Sequence, residues 1–423
     1  MEMIQKLRSS GVFWMITSAC AFSLMQVFIK LTSASVSVYL QVLFRNVVGI
    51  LISAIYIKKE QLLWFGSKQE QLFLFGRSIA GFLGLVTFFY ASRLGNVADV
   101  TIVNRTGPFF TTLFSVIFVV SAAVLVIELI VNPYVTDKNV GEIQKIYSEA
   151  GDTESVTPVS SEDDTADSER MAELERRREA VLKLQSVNSD ITGWVQLDGT
   201  DINFPVLTPP ADDPQYYLYR NYKKESTKYG SIFLDGMCTV DSDNQVLHGH
   251  SMQDGRMFWQ VIGFGSAKTV KSCPVFRYDT EKEAAEWKIV SVFKTNTYDN
   301  QGELFNYLRG DFDSAEDKMQ FYYDVMKRSM VNTGVDLNEN DKTVMLSTCS
   351  YEYEGFRTVI VARKVRDGED ATVDTSKITE NENALYPDIW YPSGKAPDYW
   401  PDYFEDAVQN GMVDWYTGNL YKD

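Results

Sequence analysis

The chain has 423 residues, of which 57 are acidic and 40 are basic, so its formal net charge is −17. This length allows two to three domains, and such an acidic balance argues against nucleic acid as a partner. Four cysteines, including Cys20 in an apolar stretch, do not suggest an even extracellular disulfide framework. Cys238 and Cys273 could pair, but nothing in the sequence indicates a bond between them, and we expect free thiols.

Four apolar runs occupy the first third of the chain, at residues 12–31, 36–57, 72–91 and 108–131. Each run is long enough to cross a bilayer, which takes about 20 residues of helix. The first run is too long for the core of a signal peptide, and no small-residue cleavage site follows it. We therefore predict a membrane segment and no cleavable signal peptide.

Polar side chains lie in or near these runs, namely Arg45, Asn46 and Arg77. Such residues are typical of a substrate path, but arginines near helix ends also reach the membrane interface, and both interpretations stay open for Arg77. The sequence RSIAGFLGLVTFFYASRLGNVADVTIVNRTGPFFTTLFSVIF, residues 77–118, resembles the third and fourth helices of the drug/metabolite transporter (EamA-like) superfamily. Members usually have two five-helix repeats around a central path. The resemblance covers only about residues 1–120, so it implies a truncated repeat.

Beyond the membrane segment, residues 149–169 are rich in Glu, Asp, Ser and Thr and contain no Lys or Arg. This composition predicts a solvated linker. Residues 173–184, ELERRREAVLKL, favour an amphipathic helix that packs on the following domain. Residues 314–329 favour a second helix, because Ser314 is a good N-cap and two acids follow it. Four residues of that helix recur at helical spacing and are expected in the core: Met319, Tyr322, Tyr323 and Met326.

The only two histidines are His248 and His250, in the segment NQVLHGHSMQDGRMF. Residues 245–247 favour a strand, and Gly249 lets the backbone come close to a neighbour at the end of that strand. An imidazole there could pair with a thiolate or act as a general acid. The alternative is a zinc site, since two imidazoles and the Cys349 thiolate form a sound ligand set.

A cysteine and an arginine meet in the segment VMLSTCSYEYEGFRTVIVARKV, residues 344–365. Residues 344–348 and 356–362 favour two strands, joined by a connection at residues 350–355. If the strands pair antiparallel, Cys349 and Arg357 lie side by side at one sheet edge. A guanidinium there stabilises a thiolate and can donate hydrogen bonds to an oxyanion. A buried structural cysteine beside an ordinary strand-end arginine is the alternative.

Residues 182–365 resemble a class B sortase through four motifs in order: NSDITGWVQLDGTDINFPVL, YYLYRNYKKESTKYGSIFLD, VLHGHSMQDGRMF and LSTCSYEYEGFR. Carried over by position, this resemblance implies His250, Cys349 and Arg357 as the catalytic residues. His248 stands where the family often has an aromatic residue, so we interpret it as a wall residue. Met345 replaces a usual threonine, a difference that concerns strand packing. The sequence VVSAAVLVIELIVNPY after Phe118 looks like the single anchor that precedes a sortase.

The predicted fold is an α-helical membrane segment of four helices joined to a mostly β sortase-type barrel with peripheral helices. The acidic, aromatic tail contains four prolines before Phe404, which exclude a long helix there, and its Trp and Tyr residues could cover apolar surface or bind glycan. We expect a docked or partly disordered appendage. The predicted domains are 1–133 (transmembrane), 134–170 (acidic linker), 171–366 (sortase-like) and 367–423 (tail).

The sortase resemblance implies a membrane-anchored cysteine transpeptidase. Its partners would be surface proteins with a sorting signal and an amine of a cell-wall precursor. Cys349 would attack a backbone carbonyl, Arg357 would stabilise the oxyanion, and His250 would protonate the leaving amine, with no metal or organic cofactor. A cysteine peptidase that uses water, and a transport or interaction protein with an inert sortase domain, remain as alternatives.

The membrane topology inferred from charge conflicts with this function. Basic residues before the first run and between the second and third runs predict a cytoplasmic N-terminus, so four crossings would return the chain to the cytoplasm. A sortase must face outward to meet secreted substrates. We therefore hypothesise that one upstream run, the second with Arg45 and Asn46, inverts or fails to insert.

Overall fold

The computed structural model describes residues 36–59, 71–94, 107–151 and 165–421, together with five isolated positions in the first apolar run. The chain divides into two compact units, Met1–Ile127 and Glu128–Asp423. The first unit contains the first three apolar runs and most of the fourth, and the second contains the predicted sortase-like domain.

The described part of the first unit is helical. Helices α1 (Val38–Lys59), α2 (Gln71–Leu94) and α3 (Gly107–Val126) coincide with the second, third and fourth apolar runs. A π-helical turn, Ile127–Val131, continues α3 into the next helix, and among the described residues the resulting helical stretch Thr112–Ala150 is the one long and apolar enough to cross a membrane. Four membrane helices therefore stay a prediction. The first run is largely outside the described residues, as are the side chains of Arg45 and Arg77.

Eight strands of the second unit close a barrel in the order β1-β2-β3-β4-β8-β9-β6-β5. Those strands are β1 (Ile191–Gln196), β2 (Asn203–Leu207), β3 (Ile232–Leu234), β4 (Asn244–His248), β5 (Val275–Thr280), β6 (Ala284–Thr295), β8 (Thr343–Cys349) and β9 (Arg357–Lys364). Strands β7 (Val331–Asn332) and β10 (Thr379–Glu380) form a separate two-stranded sheet. Six of the eight barrel pairings are antiparallel, and β2–β3 and β4–β8 are parallel. The mostly β barrel predicted from the sequence is confirmed.

The predicted linker at residues 134–170 is wrong over most of its length. Helix α4 (Asn132–Gly151) covers its first part, and helix α5 (Thr165–Leu184) begins before its end. The acids that predicted a linker are concentrated in residues 149–169, whereas α4 carries an apolar stripe at i, i+3 and i+7, formed by Val140, Ile143 and Tyr147. Ile143 is fully buried, and the ring of Tyr147 stacks on Trp194 of β1 with centroids 4.1 Å apart. Burial of this stripe on the barrel stabilises helix where the composition suggested coil.

Helices α5 and α7 agree with the sequence-based expectation. The guanidinium of Arg177 on α5 contacts Asp279 of β5 at 2.5 Å and Glu286 of β6 at 2.7 Å, so α5 packs on the barrel as predicted. Helix α7 (Ala315–Met326) follows the short helix α6 (Ala267–Ser272), and the Ser314 hydroxyl caps α7 by accepting from the amide of Asp317. The predicted core residues of α7 are buried or half-buried: Met319, Tyr322, Tyr323 and Met326.

The C-terminal tail belongs to the same compact unit as the barrel, so the predicted boundary at residue 367 does not separate two bodies. Helix α8 (Phe404–Gln409) buries Phe404 and Ala407 in the core cluster of the barrel. Strand β10 also pairs with β7. The docked alternative is therefore correct for the tail as far as residue 421, because its aromatic side chains cover apolar surface.

All four cysteines are free thiols, as expected, and two of them are buried. Burial raises the pKa of the Cys238 thiol to about 12 and that of the Cys273 thiol to about 11. Thiols of this kind are protonated at neutral pH and are poor nucleophiles. Cys349 is the cysteine of the barrel that is only partly buried.

Candidate active site

Three neighbouring strands bring the predicted site residues to one edge of the barrel. Strand β8 pairs antiparallel with β9, and this register places Cys349 directly opposite Arg357. On its other side β8 pairs parallel with β4, and the last pair of that ladder is His248 with Ser347. The two parallel strands run on from this pair in the same direction. His250 and Cys349, each two residues further along, therefore lie at the same end of the barrel. Strand register therefore places all three predicted residues at one barrel end.

The Arg357 guanidinium contacts the Cys349 sulfur directly. Nη1 of Arg357 donates a hydrogen bond to Sγ of Cys349 over 2.9 Å. The connection between the strands closes with a hydrogen bond from the Ser350 amide to the Phe356 carbonyl. The antiparallel pairing predicted from the sequence is therefore present, and a fixed positive charge lies beside the thiol.

Gly249 lets the histidine segment lie against the cysteine strand. A Cβ atom at this position would lie 2.5 Å from Cδ1 of Ile232 and 2.6 Å from Cδ2 of Phe258, so a larger residue would force the segment away. Two hydrogen bonds fix the approach. The Gly249 amide donates to the Ser347 carbonyl, and the Thr348 hydroxyl donates to the Gly249 carbonyl over 2.7 Å.

The imidazole of His250 is oriented by a backbone carbonyl. Nε2 of His250 donates to the carbonyl oxygen of Leu218 over 2.7 Å, which places the proton of the neutral ring on Nε2. Burial lowers the pKa of His250 below its usual 6.5, and the positive charge of Arg357 lowers it further, against the opposing effect of the Leu218 carbonyl. The neutral ring is therefore the major form at pH 7, with Nδ1 available to accept a proton.

His248 has a different partner from His250. Its Nε2 lies 2.8 Å from Oδ2 of Asp235, at the end of β3. Burial opposes ionisation of Asp235, but hydrogen bonds from His248 and from the Met237 amide outweigh it and lower the pKa of this carboxyl. Among the described residues, no group of three His, Cys, Asp or Glu side chains is placed to hold a metal ion. The two histidines and Cys349 therefore do not form the ligand cluster that the zinc alternative requires.

A cleft of about 700 Å³ opens over this edge of the barrel. Cys349, Arg357, His250 and His248 line it, together with apolar and aromatic side chains that include Leu218, Tyr219, Phe233, Leu304 and Phe305. A peptide could bind along such a groove with its carbonyl near the sulfur. The arrangement suits nucleophilic attack by sulfur on a carbonyl carbon, with a cation beside the oxygen and an imidazole nearby.

Sequence reasoning missed three polar groups of the cleft. The Leu218 carbonyl orients His250, Asp235 pairs with His248, and the Tyr307 hydroxyl lies 2.8 Å from that of Ser347. A backbone carbonyl leaves no signal in the sequence. Asp235 and His248 each stand at the end of a predicted strand. These two positions were the one indication in the sequence that the side chains pair.

Two protein families match separate parts of the chain. The sortase domain family matches residues 195–365, and the EamA-like transporter family matches residues 9–125. Sortase B of Listeria monocytogenes is 31% identical over 192 residues, which are 44% of this chain and 75% of that protein. Sortase B of Staphylococcus aureus is 29% identical over 185 residues, 43% of this chain and 72% of that protein. The Pseudomonas aeruginosa pseudopaline exporter CntI is 34% identical over 116 residues, which are 27% of this chain and 40% of the exporter.

Solved sortase structures also resemble the chain. Bacillus anthracis sortase B in complex with AAEK1 is 29% identical, with a TM-score of 0.44, and the match covers 56% of this chain and 99% of that one. Clostridium perfringens sortase B is 30% identical, with a TM-score of 0.40, over 44% of this chain and 99% of that one. The match to the Listeria protein over 75% of its length confirms the sortase resemblance, and the EamA-like family match at residues 9–125 confirms the transporter resemblance. The chain belongs to the sortase family, as an enzyme of the cysteine transpeptidase type related to sortase B, and carries an EamA-like domain at residues 9–125.

Proposed function

We propose that this chain is a membrane-anchored transpeptidase that cleaves a sorting signal in surface proteins and transfers the acyl group to an amine of a cell-wall precursor. The observation that carries the proposal is the 2.9 Å contact between Nη1 of Arg357 and Sγ of Cys349, at a cleft that His250 also lines. A thiol beside a fixed cation and near an imidazole is arranged for acyl transfer.

In the first half-reaction Cys349 reacts as the thiolate and His250 is the imidazolium: Sγ of Cys349 attacks the scissile carbonyl carbon, and the carbonyl electron pair moves onto oxygen. The Arg357 guanidinium donates hydrogen bonds to this oxyanion. As the carbonyl reforms, the C–N bond breaks and the imidazolium of His250 gives its proton to the leaving nitrogen. The products are a thioester on Cys349, a free amine and a neutral His250.

In the second half-reaction, the acceptor amine attacks the thioester carbonyl and gives up a proton to His250. The C–S bond then breaks, the Cys349 thiolate leaves and a new amide forms. The Leu218 carbonyl accepts from Nε2 in both steps, so the mobile proton is carried on Nδ1. Because burial lowers the pKa of His250, its imidazolium is a stronger acid than an imidazolium in water and is a minor species at neutral pH.

Product analysis tests this proposal. The full chain in detergent micelles would be incubated with a pool of quenched-fluorescence peptides, with and without Nα-acetyl-lysine amide, and the products weighed by mass spectrometry. We expect cleavage of one peptide class and a product joined to the lysine side chain. Hydrolysis alone at every amine concentration would instead indicate a cysteine peptidase.

We also propose that the barrel lies on the outer side of the membrane, because secreted substrates and wall precursors are found there. Protease added to intact cells should then cut the chain between helices α4 and α5. Full protection of that stretch would place the barrel in the cytoplasm and contradict the proposed orientation.

A further inference from the structure

His250 begins a short hairpin, residues 250–258, that follows strand β4 and is called the histidine hairpin below. Two contacts close its base. The Phe258 amide donates to the His250 carbonyl over 2.8 Å, and Ser251 and Met257 form an antiparallel bridge. Because the base includes His250 itself, a displacement of the hairpin also displaces the imidazole.

The base of the histidine hairpin is attached to strand β8 and to the connection that follows it. The hydroxyl of Tyr351 donates to the Ser251 carbonyl, and Tyr351 lies two residues after Cys349. The Gly249 amide, just before the hairpin, donates to the Ser347 carbonyl of β8. The base is therefore fixed relative to the reacting sulfur, and the freedom left to the hairpin lies at its tip.

The tip is held by helix α4 through a bidentate ion pair. Nε and Nη2 of Arg256 donate to Oδ1 and Oδ2 of Asp137 over 2.7 and 2.6 Å. A guanidinium bound to both carboxylate oxygens is fixed in direction as well as in distance. Nη1 of Arg256 also donates to Asp254, which accepts from the hydroxyl of the buried Tyr229 over 2.7 Å. Helix α4 and Tyr229 therefore hold the tip together.

The backbone of the hairpin is strained beside this ion pair. Met257 has a φ of +57°, in the left-handed region that a residue with a side chain rarely adopts. Its side chain is buried and lines a cavity of about 310 Å³ together with Val140 and Ile143 of α4. A strained residue keeps its conformation only where the surrounding structure over-determines it. Helix α4 surrounds both Arg256 and Met257, so its position sets the shape of the hairpin.

We propose that Asp137 and Arg256 are positioning residues for His250. Their ion pair holds the histidine hairpin so that Nδ1 of the imidazole reaches the nitrogen that leaves when Cys349 is acylated. The inference rests on the proposed transpeptidase function and adds that its proton transfer depends on helix α4. Such a transfer tolerates little displacement, because a shift of about 1 Å can cost about 10²-fold in rate.

The test compares Asp137→Asn with Glu142→Gln in the full chain. Both residues are exposed on α4, and Glu142 is in an ion pair with Lys223 of the barrel unit at 2.7 Å, outside the histidine hairpin. Glu142→Gln is therefore the matched control for weaker docking of α4. Acylation of Cys349 would be timed at saturating substrate with the peptide identified in the product analysis above. It would also be timed with a p-nitrophenyl ester of the same acyl residue, whose leaving group departs as an anion and needs no proton.

We expect Asp137→Asn to slow acylation by the peptide about five-fold, since Asp254 still ties the tip to Tyr229. The KM for the peptide and the rate with the ester should be unchanged, and Glu142→Gln should behave as the wild type with both substrates. Equal losses in the two variants would mean that these ion pairs only dock α4 and would overturn the positioning role. A loss with the ester as large as that with the peptide would overturn it too, because proton transfer would not be the affected step.

Histidine NMR tests the same claim without a substrate. The chain has only two histidines, so labelling with ¹³C at Cε1 gives one signal each for His248 and His250, and His248→Ala assigns them. We expect Asp137→Asn to shift the His250 signal alone and Glu142→Gln to shift neither. An unmoved His250 signal, with normal cleavage by the wild type, would overturn the positioning role but not the transpeptidase. Absence of peptide cleavage by the wild type would refute the proposed function, and the positioning role with it.

Discussion

The edge of the barrel that carries Cys349 and the C-terminal tail are organised by different forces. At the edge, two continuous ladders, β4–β8 and β8–β9, set the position of each side chain through backbone register. The tail has little regular structure, and side-chain anchors such as Phe404 hold it against the barrel. We therefore expect that replacing one reactive group at the edge abolishes activity without unfolding the domain. Substitutions in the tail should instead lower the free energy of unfolding before they change activity.

Replacing Cys349 with alanine should have the largest effect. Without the sulfur no thioester can form, so acyl transfer should fall by at least about 10⁴-fold. The side chain is only partly buried at a strand end, so the melting temperature should stay close to that of the wild type. Peptide cleavage and thermal unfolding would be measured on the same preparation. Activity above this level would refute the role of Cys349, and a large loss of stability would contradict the register argument.

Replacement of the two histidines should reduce turnover to different extents. His250→Ala should reduce turnover by about 10³-fold, because it removes the proposed general acid. His248→Ala should cost less than about ten-fold, because His248 bonds Asp235 and has no step in the proposed mechanism. Steady-state kinetics on both variants, with elemental analysis for zinc, would decide. Equal losses of turnover in the two variants, together with zinc bound to the wild type, would instead favour a metal site.

The tail should be sensitive to loss of its anchor. Phe404 is 2% exposed and contacts the rings of Tyr323 and Tyr416, so Phe404→Ala should lower the free energy of unfolding by about 4 kcal/mol. Tyr399→Ala, at a tail residue that is 54% exposed, is the control and should change stability by less than about 0.5 kcal/mol. Denaturant titration would measure both. Equal stability of the two variants would mean that the tail does not share the barrel core.

Glu369, at the start of the tail, should make the free energy of unfolding depend on pH. Hydrogen bonds from Arg363 and Lys288 lower the pKa of Glu369 well below its usual 4.5. Because the folded pKa is the lower one, this stabilisation is present above pH 4.5 and is lost as the pH falls toward the folded value. Glu369→Gln should cost about 3 kcal/mol at pH 7, since it leaves Arg363 and Lys288 less compensated in the barrel wall. The difference from wild type should shrink as the pH falls below 4.5, and a difference independent of pH would exclude this ion pair as its cause.

The barrel edge was predictable because register follows from local patterns. The alternation in residues 344–348, the β-branched run after Arg357 and the glycine between two histidines each predict a strand or its end. The same patterns could not reveal the carbonyl that orients His250, because that carbonyl belongs to Leu218 in a distant turn. The predicted acidic linker failed at residues 134–151, where three acids are partly balanced by two lysines and three apolar residues at helical spacing face the barrel. The docked position of the tail depends on hydrogen bonds from Gln320 and Tyr323 to an irregular stretch of chain, which no periodicity encodes.

In the proposed mechanism Cys349 carries the acyl group between the two substrates. Intact-protein mass spectrometry of the full chain, quenched in acid during turnover of the cleaved peptide without amine, would detect the intermediate. We expect one added acyl mass, mapped by digestion to Cys349 and released when Nα-acetyl-lysine amide is supplied before quenching. An acyl group on any other residue, or peptide cleavage without acylation of Cys349 at any time point, would contradict the mechanism.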